Sequence, residues 1–114
     1  MSRHDDRTSM RQMLDHACEA VEMARGRTRG DLDTDRMLNL SLVRLLEIIG
    51  EAAGRVSEPT REAHPSIPWS QIVGLRNRLI HGYDTVNFDI LWTIVQSDLP
   101  PVIAEMKRVL RPAS

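Results

Sequence analysis

Four side chains within residues 76–83 have the chemistry needed to act on a phosphate group. They are Arg76, Asn77, His81 and Tyr83. An imidazole exchanges protons near neutral pH, and a guanidinium stabilises charge that grows on phosphate oxygens. In a helix each residue turns by about 100°, so Asn77 and His81 would share one face. Arg76 and Tyr83 would lie one above the other on the neighbouring face. The segment therefore predicts a phosphate-transfer site at the C-terminal end of a helix.

Spacing alone leaves a structural role for these residues open. Cationic side chains near the C-terminal end of a helix are favoured by the helix dipole, so Arg76 and His81 could simply stabilise a helix end. Arg78, in the same segment, could contact a backbone phosphate or cap the helix. No Asp or Glu occurs between residues 63 and 83. The predicted site therefore has no carboxylate of its own.

Two long amphipathic helices are predicted in the first half of the chain. Apolar residues at helical spacing predict the first helix over about residues 7–25. The second is predicted from a cap at Asp33 or Thr34 to about Val56. Residues 26–31 between them are typical of a loop, whose arginines could touch phosphate or only face solvent.

Two further helices are predicted in the second half. Residues 57–68 contain three prolines and predict an irregular connection. A third helix is predicted over about residues 68–81, ended by the glycine that follows. A fourth begins at a cap, Asn87 or Asp84, and the two prolines at 100–101 must kink or break it.

The predicted class is all-α, with one domain over residues 1–114. No stretch alternates as a strand does, so we expect a small antiparallel bundle of four to five helices. The second helix is apolar around most of its circumference, which predicts a second packing surface and hence a homodimer. Its polar stripe consists of Arg44, Glu47, Glu51 and Arg55. The two glutamates repel each other unless both arginines offset them.

Composition excludes several classes of protein. The net charge of −1 excludes a strongly basic nucleic-acid binder, and no apolar run is long enough to span a membrane. A charged N-terminus without a signal peptide and the lone Cys18 predict a cytoplasmic protein. The four histidines are scattered and there is no glycine-rich phosphate loop, so neither a metal site nor a cofactor is predicted.

Several strings, in order and with sensible spacing, resemble the HepT-like family of the HEPN group of α-helical ribonucleases. The resemblance spans about residues 7–110. Its specific part is an Arg, a polar residue, three further positions, His, any residue and Tyr, matched here without departure. The matching strings are LEIIGEAA at 46–53, IPW at 67–69, GLRNRLIHGY at 74–83, LW at 91–92 and LP at 99–100.

The resemblance implies a metal-independent endoribonuclease toxin of a type II or type VII-like toxin–antitoxin pair. It implies a HEPN-like dimer in which Arg76 and His81 cleave RNA, with no cofactor. Asn77 would position the phosphate or His81. The implied partner is a minimal nucleotidyltransferase antitoxin, MntA-like, that silences the toxin by transferring AMP to Tyr83. Glu51, within the family's Gly-Glu-Ala string, would hold Arg76 in place without contacting the RNA itself.

Two other interpretations remain at this stage. The chain could be a non-catalytic helical partner, the binding subunit of a minimal nucleotidyltransferase, in which Arg76 and His81 hold a nucleotide. It could also be a plain structural bundle. The intact set of motif residues favours the ribonuclease over both.

Overall fold

Helices account for most of the chain. The computed structural model describes the backbone of residues 3–81 and 85–111 and the side chains of residues 5–80 and 85–111. Within these residues the helices are α1 (Arg3–Ala24), α2 (Asp31–Thr34), α3 (Arg36–Gly54), α4 (Glu58–Ala63), α5 (Trp69–Val73), α6 (Leu75–Leu79), α7 (Phe88–Thr93) and α8 (Leu99–Val109). A π-helical turn, Ile94–Asp98, joins α7 to α8, and two short strands are β1 (Ile80–His81) and β2 (Thr85–Val86). The predicted all-α class is confirmed.

The core lies where α3 packs along α1 and against α5, α6 and α7. The most deeply buried side chains are aliphatic or Met residues from these helices and the π-helical turn: Met13, Leu42, Leu46, Ile49, Leu79, Leu91 and Ile94. Because α3 contacts so many neighbours, its apolar residues are buried over a wide arc. The sequence predicts this wide burial but assigns part of it to a second subunit, whereas helices of the same chain provide the cover here, and the homodimer stays a prediction. None of the helices in the described part of the chain is long and apolar enough to cross a membrane.

Two helix starts in the first half differ from the prediction. Helix α1 begins at Arg3, several residues before the predicted start. The cap of α3 is Asp35, whose carboxylate accepts a hydrogen bond from the Leu38 backbone N–H at 3.0 Å. The predicted caps Asp33 and Thr34 lie instead in the one-turn helix α2.

The proline-rich connection between α3 and α5 is more ordered than its sequence predicts. It contains α4, with Pro59 in the first turn, where a missing backbone N–H costs nothing. The side chain of Asp6 in α1 accepts hydrogen bonds from the Ser57 backbone N–H at 2.9 Å, the Ser57 hydroxyl at 2.5 Å and the Thr60 hydroxyl at 2.6 Å. The Asp6 carboxylate of α1 therefore accepts hydrogen bonds at the N-terminal end of α4 and fastens the two helices together.

The third helix was predicted to be continuous and to end at about residue 81, and both parts of this prediction are wrong. It breaks at Gly74 into α5 and α6, and α6 ends at Leu79. Ile80 is extended, with φ −89° and ψ 127°, and pairs with Val86, while His81 pairs with Thr85. β-Branched residues at three of these four positions favour an extended ribbon over a further helical turn. A short hairpin therefore replaces the end of the predicted helix.

The fourth predicted helix is confirmed at its start. The Asn87 side chain accepts a hydrogen bond from the Ile90 backbone N–H at 3.0 Å and caps α7. The break predicted at the prolines is a π-helical turn just before them. In this turn the Leu99 backbone N–H donates a hydrogen bond to the carbonyl of Ile94, five residues earlier. Prolines at 100–101 have no N–H to donate to carbonyls four residues earlier, so an α-helical register could not be completed there.

Candidate functional site

Arg76 lies at the start of α6, where this helix passes beside α3. Its Nη1 atom is 3.5 Å from Oε2 of Glu47, and its side chain is 62% exposed. The two residues line a pocket of about 170 Å³ together with Gly50, Glu51 and Val73. The arginine is thus anchored at one side while most of its guanidinium faces solvent, which is what a phosphate ligand requires.

Glu47 lies between two arginines. Its Oε1 atom is 3.6 Å from Nη1 of Arg44, while Oε2 faces Arg76. Glu51 reaches Arg44 at 3.7 Å, and Arg55 donates to the side chain of Gln12. The prediction that Glu51 holds Arg76 is therefore wrong about the carboxylate, because the ion pair with Arg76 is made by Glu47, one helical turn earlier.

Arg78 projects away from Arg76. Residues two apart on a helix point to nearly opposite sides, at about 200°, and Arg78 donates a hydrogen bond from Nη1 to Oδ2 of Asp98 at 2.8 Å. This ion pair stands at the rim of a largely apolar groove of about 330 Å³ between the α5–α6 corner and the start of α8. Asn77 lies between the two arginines with its side chain exposed.

His81 follows α6 on strand β1, so its predicted place on a helix face shared with Asn77 is wrong. The helix ends at Leu79, and the backbone of His81 is paired with Thr85. His81 lies five residues after Arg76 in the sequence, on the strand that directly follows the helix carrying the arginine. Tyr83, the predicted acceptor of AMP, lies outside the described residues.

The arginines after α1 are held by carboxylates. Arg25 pairs with Glu22 at 2.9 Å. Arg27 reaches Asp35 at 2.6 Å, and this hydrogen bond raises the pKa of the arginine and lowers that of the aspartate. Arg29 reaches Asp89 at 2.6 Å. These guanidiniums therefore fasten the α1–α3 connection, and the alternative of a phosphate-binding loop loses support.

Sequence reasoning placed Glu47 in a polar stripe but did not connect it to Arg76. Gly50 by itself gives no signal of this contact, because α3 also carries Gly54, where an added Cβ would have nothing within 4 Å. An added Cβ at Gly50 would lie 3.1 Å from the carbonyl oxygen of Ile72. In the described part of the chain, no group of three His, Cys, Asp or Glu side chains is arranged to hold a metal ion.

Comparison with known proteins identifies the class to which this helical domain belongs. A family model described as ribonuclease HepT-like matches residues 13–109. The chain therefore belongs to the ribonuclease HepT-like family, and the predicted enzyme class, a ribonuclease, is confirmed at the level of the family. No solved structure matches the chain significantly.

Full-length relatives agree with this assignment. A protein of Methanocaldococcus jannaschii, provisionally named an RNase, is 34% identical over 109 residues, covering 96% of this chain and 100% of the relative. One from Caldanaerobacter subterraneus subsp. tengcongensis, also provisionally named an RNase, is 35% identical, covering 89% and 94%. A protein of Thermococcus cleftensis named probable ribonuclease HepT is 31% identical, covering 89% and 96%.

Proposed function

We propose that the chain is a metal-independent endoribonuclease that acts as the toxin of a two-gene toxin–antitoxin pair. The observation that carries the proposal is Arg76, which stands 62% exposed on α6, five residues before His81. The family match over residues 13–109 includes both residues. A guanidinium that stabilises the charge and an imidazole that transfers protons can together cleave a phosphodiester without a metal.

The reaction uses a nucleophile that RNA carries itself. A base removes the proton of the 2′-hydroxyl, whose oxygen attacks the neighbouring phosphorus, and the bond to the 5′-oxygen breaks. An acid gives a proton to that leaving oxygen. Arg76 stabilises the negative charge of the pentavalent phosphorane, and Asn77 positions the phosphate or the imidazole. The products are a 2′,3′-cyclic phosphate and a 5′-hydroxyl.

The base and the acid are supplied by two copies of His81 in a homodimer. This proposal is supported by exposed apolar side chains: Met37 and Leu40 in the first half of α3 are 80% and 52% exposed, and Val73, which lines the Arg76 pocket, is 41% exposed. A two-fold axis would put the same patch on both chains and could bring both α6 ends to one cleft.

The proposed control is covalent. A minimal nucleotidyltransferase transfers AMP from ATP to Tyr83: the phenol oxygen bonds to the α-phosphorus, pyrophosphate leaves and the phenol proton passes to a base. Tyr83 is two residues from His81 in the sequence. A bulky nucleotide with a negative phosphate would compete with RNA for Arg76 and fill the cleft.

The test is cleavage of RNA by the purified chain in the presence of EDTA. We expect a 2′,3′-cyclic phosphate product, and no cleavage of a substrate whose scissile position carries 2′-deoxyribose. Arg76→Ala and His81→Ala should each abolish cleavage while keeping helical circular dichroism. Arg11→Ala and His16→Ala, on α1, are the matched controls and should remain active.

The rival function has its own signature in this test. A chain that cuts no RNA under any condition, yet forms a stable complex with a minimal nucleotidyltransferase, would be the non-catalytic binding subunit. Inhibition by EDTA would refute the metal-free mechanism while leaving the ribonuclease family assignment in place.

A further inference from the structure

Glu47 is more buried than its two arginine partners. Its side chain is 22% exposed, whereas those of Arg44 and Arg76 are 61% and 62% exposed. Each carboxylate oxygen faces a different guanidinium, Oε1 toward Arg44 and Oε2 toward Arg76. An ion pair at each oxygen, at 3.6 and 3.5 Å, restricts the directions that the carboxylate can take, and so restricts the direction in which it holds Arg76.

Close packing of two helices brings Glu47 to Arg76. Gly50 lies one turn after Glu47 and on the same side of α3, because residues three apart on a helix are neighbours. A Cβ atom at Gly50 would lie 3.1 Å from the Ile72 carbonyl oxygen and 3.7 Å from that of Val73. The end of α5 therefore rests against the α3 backbone, and α6 begins two residues later at Leu75, with Arg76 as its second residue.

We propose that Glu47 is a positioning residue that aims the Arg76 guanidinium at the scissile phosphate. The inference rests on the proposed ribonuclease function and deepens it. An exposed arginine alone loses side-chain freedom when it binds phosphate, and an anchor at one edge removes part of that loss beforehand. Nη1 faces Glu47, which leaves the other edges of the planar guanidinium for the substrate.

A purely structural role makes a different prediction. An ion pair with a largely exposed arginine adds little to stability, typically about 0–1 kcal/mol, and Glu47 and Arg76 approach at 3.5 Å without a hydrogen bond. Removing the charge of Glu47 should therefore leave the fold almost unchanged. Any large loss of activity must then come from the direction of Arg76.

The experiment compares steady-state cleavage of one RNA by three glutamine variants. For Glu47→Gln we expect kcat to fall on the order of 10-fold to 100-fold with KM nearly unchanged, as for a small misplacement of a catalytic group. Glu51→Gln, which contacts Arg44 but not Arg76, should lose less. Glu105→Gln is the matched control, because Glu105 is 25% exposed and paired with Arg108, far along the chain from the site.

Two further variants test the inference from the side of the two arginines. Arg44→Gln frees Oε1 of Glu47 and should lower kcat less than Glu47→Gln does. In an Arg76→Lys background, which retains a cation, Glu47→Gln should cost much less than in the wild type, since the residue it positions is gone.

Three outcomes of these measurements would overturn the inference. Equal losses in Glu47→Gln and Glu51→Gln, or full additivity with Arg76→Lys, would overturn the inference and leave the ribonuclease standing. A lower KM and a higher kcat in Glu47→Gln would overturn it too, because Glu47 would then be a tether that competes with phosphate. An inactive wild-type chain would refute the proposed function and this inference together.

Discussion

Gly50 of α3 lies so close to Ile72 of α5 that a methyl group at the glycine would meet the isoleucine carbonyl oxygen at 3.1 Å. The contact is between two backbones, so neither side can give way by a side-chain rotation. The spacing of α3 and α5 is set at this point. Because Arg76 follows α5 and Glu47 precedes Gly50, the same contact sets the distance between the two charged groups.

Gly50→Ala should therefore reduce both stability and activity. The added methyl overpacks a backbone contact, which typically costs about 1–3 kcal/mol, and it moves the α5–α6 corner away from Glu47. The matched control is Gly54→Ala on the same helix, where a Cβ would have nothing within 4 Å. That variant should be neutral or more stable by up to about 1 kcal/mol. Denaturant unfolding and RNA cleavage measure the two effects; a fully stable and fully active Gly50→Ala would show that the corner is not held there.

Tyr83→Phe separates modification from catalysis. The variant keeps the ring but lacks the acceptor oxygen, so a minimal nucleotidyltransferase with ATP should add no AMP to it and should not silence its RNA cleavage. Intact-mass spectrometry follows the modification. Asp84→Asn, at the next position, is the control and should still be modified. Detection of AMP on another residue, with Tyr83→Phe still silenced, would refute the assignment of the acceptor.

Met37→Glu combined with Leu40→Glu should convert the proposed dimer to a monomer. Both side chains are exposed on α3, and burying two carboxylates in an apolar interface is strongly unfavourable. Sedimentation velocity at micromolar concentration should show the change, and RNA cleavage should be lost with it. The control is Gln96→Glu on the exposed side of the π-helical turn. A wild-type chain that sediments as a monomer would contradict the composite site.

Asp6 should make the fold sensitive to acid. Hydrogen bonds from the Ser57 and Thr60 hydroxyls and from the Ser57 backbone lower the pKa of this carboxyl below its ordinary value. A lowered folded-state pKa stabilises the fold above the unfolded-state pKa, about 4, and the contribution is lost as pH falls through the folded-state pKa. The Tm gap between wild type and Asp6→Asn should therefore be constant near neutrality and narrow below about pH 4.

The control for this pH profile is Asp15→Asn on the same helix. Asp15 is 65% exposed, and its ion pair with Arg11 is long at 3.9 Å. Its Tm should follow that of the wild type at every pH. A gap for Asp6→Asn that stays constant down to pH 2 would show that the aspartate contributes only through packing.

The sequence was most informative where one local rule decides the structure. The amphipathic periodicity of α1 and α3 and the Asn87 cap depend on neighbours along the chain, and these features are confirmed. The break at Gly74 and the hairpin after Leu79 were missed, because the helical pattern continues through them. At those positions a close helix contact and a β-branched ribbon outweigh helical propensity.

The site shows the same division. Arg76 and His81 were predicted from the resemblance of their segment to the family motif; the family match over residues 13–109 spans both, and their roles stay a prediction. The choice between Glu47 and Glu51 could not be predicted in this way, because both lie on one stripe of α3 and both can reach Arg44. Which carboxylate meets Arg76 depends on how α5 crosses α3 at Gly50, a tertiary fact without a local signal.

The π-helical turn at Ile94–Asp98 has a consequence for how this chain can change in length. Such a turn holds one residue more than an α-helical turn, and the helix on either side keeps its phase. Leu91 before it and Val102 after it both remain buried, while Gln96 and Ser97 within it are exposed. Losing one of the two exposed residues would shorten the turn while both core faces keep their phase, and the two prolines that follow would still leave two carbonyls without an N–H partner. We therefore expect a one-residue deletion to be tolerated better here than a turn away on either side.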